Sequence, residues 1–267
     1  MCDFSELYFG VEIELIASPR FLYLPHTRAV YYQQLAQALK QRRLRAAADS
    51  LVSYCKHPEH YDKWWITKDG SLGKPEYPRI ALEAVSPIMR SDYTWEREID
   101  TFWGAWSDGF QKPDSSIKCG AHIHVSPYPD KRFGLPQLQD IAYGVIYYEP
   151  LIGCILPYHR RQNPFCRPNT MRSRQLENIV IQGWNETTML QIFWQSVYGT
   201  NSKQGLRDLM QSGFHARRVL WNFDHVVSGG SGTVEFRGGP GLRDTVQTKR
   251  WVSFVLAFVH LCLTKVS

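Results

Sequence analysis

FGVEIEL, residues 9–15, alternates apolar and polar side chains along most of its length. Alternation with a period of two marks a β-strand, whose successive side chains point to opposite faces. Phe9, Val11, Ile13 and Leu15 then share one face, and Gly10, Glu12 and Glu14 share the other. Three further stretches repeat the design. In CGAHIHVS (119–126), Ala121, Ile123 and Val125 oppose His122 and His124. In TVEFRG (233–238), Val234 and Phe236 oppose Glu235 and Arg237. ALEAVSP (81–87) adds Glu83 to a fourth apolar run with a less regular alternation.

The apolar faces belong against a helix-covered core. If the four strands lie side by side, the opposite face gathers Glu12, Glu14, Glu83, Glu235, His122, His124 and Arg237. Clustered carboxylates repel one another unless something cationic sits among them. A divalent cation resolves the conflict. An oxygen-rich donor set with a minor imidazole share suits Mg²⁺ or Mn²⁺ better than zinc. The competing reading is an ordinary sheet with its polar face in water, where outward Glu is commonplace. Against it stands the coincidence of four strands, and the use of Glu and His rather than Thr, Lys and Ser.

The rest of the chain reads as a mixture of strands and helices without a regular βαβ rhythm. Residues 26–49 and 135–156 have helical character, the latter with Pro150 as an expected kink. VSYCK (52–56) reads as a short strand, and HARRVLWNFDHV (215–226) as a strand paired with GTVEFRG through the Gly-rich SGGSG turn. This pattern indicates an α+β fold, a mostly antiparallel sheet with helices packed on one face. No long linker divides the chain, so residues 1–267 are expected to form a single domain. Asp69–Gly70 reads either as a type I′ turn or as a carboxylate reaching the polar face. Asn222, beside VEFR, is a further candidate for that face.

With 267 residues, 43% of them hydrophobic, the chain has the makings of a substantial core. A net charge of +6 favours anionic partners. Part of the excess lies in HRRQNPFCRPNTMRSR (159–174), which carries five Arg and no acid. That stretch is either a solvated loop or a clamp for phosphate or carboxylate. No nucleic-acid-binding motif accompanies it, and no nucleic-acid partner is expected. The six cysteines are scattered without a CxxC pair, and MCDFSELYFG does not read as a secretory leader. Reduced thiols and a cytoplasmic location are the expectation. The most apolar run, WVSFVLAFVHLCLT (251–264), is too short to span a bilayer and reads as a buried helix, so no membrane association is expected.

FGVEIEL, DGSL, LEAVSP, CGAHIHVS and VEFRGGP, in that order, resemble the amidoligase family, whose members are related to glutamine synthetase and glutamate–cysteine ligase. The resemblance runs from about residue 8 to residue 243. It implies a curved antiparallel sheet like the glutamine synthetase catalytic domain. It also implies an ATP-dependent ligase that joins a small-molecule carboxylate to an amine. By the same resemblance, Glu12, His122 and Glu235 would hold one Mg²⁺ or Mn²⁺ near the ATP phosphates, and Glu14 and Glu83 would hold the other. His124 would face substrate or phosphate, Arg237 would steady the transferring phosphoryl group, and Arg160 and Arg167 would touch phosphate or an anionic substrate. The sequence has no P-loop, which such a ligase would not need. The alternatives are a non-catalytic binding relative and a metal-dependent amide-processing enzyme that does not use ATP. The oligomeric state and the substrates are not legible in the motifs.

Overall fold

The computed structural model describes residues 7–23, 27–128, 131–213 and 215–265. Among them the fold is α+β, with eight α-helices and eight strands in a mixed sheet that does not close. In chain order these are β1 (Tyr8–Ala17), α1 (Arg28–Gln41), β2 (Ala46–Ala48), β3 (Trp64–Thr67), β4 (Ile80–Val85), β5 (Met89–Arg90), α2 (Trp95–Gly109) and β6 (Gly120–Ser126). They continue as α3 (Leu135–Ile155), α4 (Tyr158–Arg161), α5 (Arg174–Ile181), α6 (Glu186–Tyr198), α7 (Lys203–Met210), β7 (Trp221–Asn222), β8 (Val234–Pro240) and α8 (Thr245–Lys265). Packing divides the chain into two compact units. The first is Tyr8–Ile123 with Gly239–Phe254; the second is His124–Gly238 with the described residues of Met1–Leu7 and Val255–Ser267. None of the described helices is long and apolar enough to cross a membrane.

In the first unit the strand order is β2-β3-β4-β1-β6, with β5 beside β1. β1 pairs antiparallel with β4, setting Glu14 opposite Glu83 and Glu12 opposite Val85. β3 runs antiparallel to β4 and parallel to β2. The apolar face read from FGVEIEL is the core face: Phe9, Val11, Ile13 and Leu15 are each at most 2% exposed. Helix α2 brings Trp95, Ile99, Phe102, Trp103 and Trp106 to one buried stripe at helical spacing. Phe102 stacks on Trp64 of β3 with ring centroids 4.2 Å apart. Truncating Phe102 to Ala removes that stack and a buried ring, a loss of about 3–5 kcal/mol.

Two sequence expectations fail here. The helix expected over 26–49 stops at Gln41, and Ala46–Ala48 form β2. Arg43 turns the chain with φ 66°, and pairing of Ala46, Ala47 and Ala48 with Trp64, Trp65 and Ile66 overrides alanine's preference for helix. The strand expected at VSYCK is irregular instead. The buried Asp49 carboxylate accepts from the Leu51 and Cys55 amides at 3.0 and 3.3 Å, winding the backbone into a loop that has no strand neighbour to join.

In the second unit the order is β6-β8-β7, and β7 pairs antiparallel with β8 through Trp221↔Phe236 and Asn222↔Glu235. The strand expected over 215–226 shrinks to Trp221–Asn222. The Asn222 side-chain oxygen accepts from the Asp224 amide at 3.0 Å, and this local bond turns Asp224–Val226 into a 3₁₀ turn. Pro150 lies inside α3, which continues through it to Ile155. Gly144 of α3 faces Cys262 of α8: a Cβ there would sit 2.3 Å from the Cys262 sulfur, so only glycine permits this approach.

Candidate functional site: two groups of buried polar side chains

The carboxylates on the polar faces of these strands are buried as well. In the first unit Glu12, Glu14 and His122 are 5–7% exposed and Glu83 is 0% exposed. A sheet face turned to water does not look like this, and that alternative fails for these residues. His122 Nδ1 lies 3.1 Å from Glu12 Oε2, and its Nε2 lies 3.8 Å from Glu14 Oε1. Glu14 also accepts the Gly120 amide at 2.6 Å. Glu83, packed between β1 and β3, has neither carboxylate oxygen hydrogen-bonded. Burial, followed by the like charge of Glu12, holds its carboxyl well above the ordinary carboxylate range.

Asp69 completes this group. Glu14, Asp69 and Glu83 each offer a carboxylate oxygen within 4.8 Å of the other two. The type I′ reading of Asp69–Gly70 is wrong, because neither residue has a positive φ. Asp69 instead accepts the Ser71 amide at 2.6 Å and the Ser71 hydroxyl, which fixes the carboxylate. Lys56, from the irregular loop, places its ammonium 3.8 Å from Asp69 Oδ2. Burial lowers the Lys56 pKa, but the fields of Glu83, Glu12 and Asp69 together outweigh it and leave a net rise. An all-oxygen donor set of this kind, with a buried carboxylate lacking any partner, fits a hard divalent cation.

The second unit gathers His124, Glu235, Arg237 and Asn222 from the sequence expectations, and adds His225. Glu235 is 1% exposed. Arg237 donates to its Oε1, Asn222 Nδ2 donates to its Oε2 at 2.6 Å, and His225 Nε2 stands 3.5 Å from Oε2. His124 Nε2 lies 3.8 Å from Oε1. On the other side of its ring, His124 Nδ1 bonds Thr233 Oγ1 at 3.1 Å, and that hydroxyl meets Ser231 Oγ at 2.9 Å. The Gly-rich turn holds His225 in place. Gly232 N donates to the His225 carbonyl at 2.7 Å, and a Cβ on Gly230 would sit 2.3 Å from that same oxygen.

The two loop arginines part company. Arg160 is 3% exposed and donates through Nη2 to the Arg237 carbonyl at 2.5 Å. Arg167 is exposed, and its backbone bridges to Val219. Sequence reasoning missed Lys56 and His225. Lys56 sits in a loop without periodicity. His225 follows a strand signal that the Asn222 turn cuts short, and only the adjacent SGGSG hinted at a close backbone approach.

Among curated proteins and among solved structures, no match was found. A family model described as "putative amidoligase enzyme" matches residues 5–259, a span that contains every side chain of both groups. The chain therefore belongs to the amidoligase family, and a ligase activity is what that family description suggests.

Proposed function

We propose that this chain is an ATP- and divalent-metal-dependent ligase that joins a small amino-acid or peptide-like carboxylate to an amine. The observation that carries the reading is Glu83, which is fully buried, faces Glu14 across a strand pair, and has no hydrogen-bond partner on either oxygen. Buried carboxylates in contact are strongly unfavourable unless a cation joins them. Glu12, Glu14, Glu83, Asp69 and His122 in the first unit, and Glu235 in the second, are the residues that would hold Mg²⁺ or Mn²⁺. The cations would neutralise phosphate charge and orient the phosphates.

A carboxylate is a poor electrophile toward an amine. In the proposed reaction a substrate carboxylate oxygen attacks the γ-phosphorus of ATP, ADP leaves, and an acyl phosphate forms. The amine nitrogen then attacks the acyl carbon, phosphate leaves, and the amine proton passes to a carboxylate of the site. Phosphoryl transfer asks mainly for positioning and charge neutralisation. Arg237, held against Glu235, presents a fixed guanidinium for the transferring phosphoryl oxygens. The buried guanidinium of Arg160 fixes the Arg237 backbone, and the exposed Arg167 is available to solvent-borne anions. His124 is aimed by Thr233 toward the same carboxylate.

The test is ADP release from ATP with Mg²⁺ or Mn²⁺, across amino acids paired with amines, with products read by mass spectrometry. The expected result is substrate-dependent ADP release with a new amide. Metal binding without ATP turnover anywhere in the panel would overturn the ligase reading in favour of ATP-independent amide chemistry or a binding scaffold.

A further inference from the structure

We infer that the outward face of α3 is a contact surface between two copies of this chain, which pair antiparallel about a two-fold axis through Tyr147, Leu151 and Ile155. The pairing is independent of the proposed reaction.

The first argument is that α3 is apolar all round. Its core stripe includes Leu138, Ile141, Val145 and Ile152, all buried. A surface helix normally turns polar side chains away from such a stripe, and a helix apolar on every side belongs inside something larger. Tyr147, Leu151 and Ile155, at i, i+4 and i+8, make a second stripe and are 47%, 62% and 49% exposed. Pro150 and Cys154 lie exposed beside them. Between Asp140 and His159 the sequence has one charged residue, Glu149, and that side chain is buried.

The second argument is extent. Tyr147 meets Tyr143, Tyr143 meets Tyr198 of α6, and Tyr198 meets Trp194, with ring centroids 6.1, 6.2 and 5.0 Å apart. Trp194 is 49% exposed, and no charged residue lies between Glu186 and Lys203. With about 150–250 Å² for a whole aromatic side chain, Tyr147, Leu151, Ile155 and Trp194 leave on the order of 400 Å² of apolar surface in one place. A patch of that size marks an interaction surface. With a polar rim it reaches the roughly 800 Å² per partner of a standard interface.

The third argument identifies the occupant. Asp140 stands two turns before Tyr147 on the same stripe. At the far end Arg161 donates through Nε and Nη2 to the Leu156 and Cys154 carbonyls at 2.8 and 2.7 Å, which sets a guanidinium at the end of α3. A two-fold contact lays a surface against its own copy, so a charged stripe would repel itself and an uncharged one does not. Antiparallel pairing with Tyr147 against the partner's Leu151 brings Tyr143 to the partner's Ile155, and Asp140 to the end held by the partner's Arg161. Opposite charges then meet at both ends of the contact. An anionic bilayer would gain nothing at the Asp140 end.

The experiment is sedimentation velocity of the full chain at about 50 µM, where a complex with a Kd near 1 µM is mostly assembled. Flotation with phosphatidylserine-containing vesicles is run in parallel. Wild type is expected to sediment as a dimer and to stay off the vesicles. Leu151→Asp, which sets two like charges near the axis, should be monomeric with unchanged circular dichroism, and Leu151→Met should stay dimeric. Asp140→Lys should weaken the dimer by about tenfold. A monomeric wild type, a dimer undiminished in Leu151→Asp, or a monomer captured by vesicles through Leu151 overturns the inference. An Asp140→Lys dimer as tight as wild type overturns the antiparallel arrangement.

Discussion

Glu14 and Glu83 stand directly opposite each other in the antiparallel pair of β1 and β4, both buried, with Asp69 beside them. Like charges so placed oppose folding, and the raised pKa of Glu83 gives the sign of the effect. A carboxyl whose folded pKa is raised adds stability that is present at low pH and lost as pH rises through the folded pKa. Glu83→Gln should therefore raise metal-free stability by about 1 kcal/mol above that pKa. The gain should shrink on acidification, where wild-type Glu83 is protonated. The same variant should bind Mn²⁺ at least about tenfold more weakly, a loss of roughly 1.4 kcal/mol, and show no ligase turnover. Urea unfolding across pH with and without Mn²⁺ checks both halves. A variant less stable than wild type at high pH without metal would show that the carboxylates are not in conflict.

Lys56 stands where it competes with a cation. Its ammonium is 3.8 Å from Asp69 Oδ2 and in the field of Glu83 and Glu12. Lys56→Met should strengthen Mn²⁺ binding to the metal-free protein by roughly fivefold, or about 1 kcal/mol, after allowing for solvent screening of a partly exposed pair. It should also lower metal-free stability, because the carboxylates lose a nearby ammonium. A purely structural lysine would lower both. Mn²⁺ titration followed by electron paramagnetic resonance reads the first effect and urea unfolding the second; weaker Mn²⁺ binding would remove Lys56 from this role.

Arg160 and Arg167 look alike in sequence and differ in place. Arg160→Met removes a buried donor to the Arg237 carbonyl inside the second unit, at a cost of about 1–3 kcal/mol. Arg167→Met should change stability by less than about 0.5 kcal/mol, as for an ordinary surface substitution. If Arg167 meets phosphate, its variant raises the KM for ATP with kcat nearly unchanged. Equal unfolding midpoints for the two variants would contradict the burial difference.

The strands that carry the carboxylates and imidazoles were legible because alternation has a period, and Glu12, Glu14, His122, His124 and Glu235 each fall at the position it dictates. What the period cannot give is register. Whether Glu14 meets Glu83 or its neighbour depends on how β1 and β4 pair, and a slip of one residue would turn Glu83 to the other face. Lys56 and His225 were illegible for a related reason: both are set by side-chain-to-backbone bonds in irregular segments, around Asp49 and Asn222. Ala46–Ala48 misled because their local preference for helix is weaker than a sheet edge offered by Trp64–Ile66.

Glu149 supplies a pH dependence separate from the metal groups. It lies buried in α3, accepts the Asn169 amide at 2.5 Å, and takes the Thr170 amide and hydroxyl as well, anchoring the 3₁₀ turn at Asn169–Met171. Asn169 in turn donates to the Trp221 carbonyl at 2.8 Å and so holds the strand that carries Asn222. Burial pushes the Glu149 carboxyl up from 4.5 to about 7, against the lowering effect of the Thr170 and Asn169 bonds. The folded protein thus holds a proton that the unfolded chain releases. Its contribution to stability is full below pH 4.5 and lost as pH rises through about 7. The span corresponds to about 3 kcal/mol as an upper figure. Glu149→Gln imitates the protonated form and should flatten this part of the stability profile, with its advantage over wild type growing from about pH 4.5 and levelling off above about pH 7. Chemical unfolding of both proteins from pH 4 to pH 8.5 reads the slope directly. Parallel profiles would mean that Glu149 keeps an ordinary pKa and that its bonds to Asn169 and Thr170 offset its burial in full.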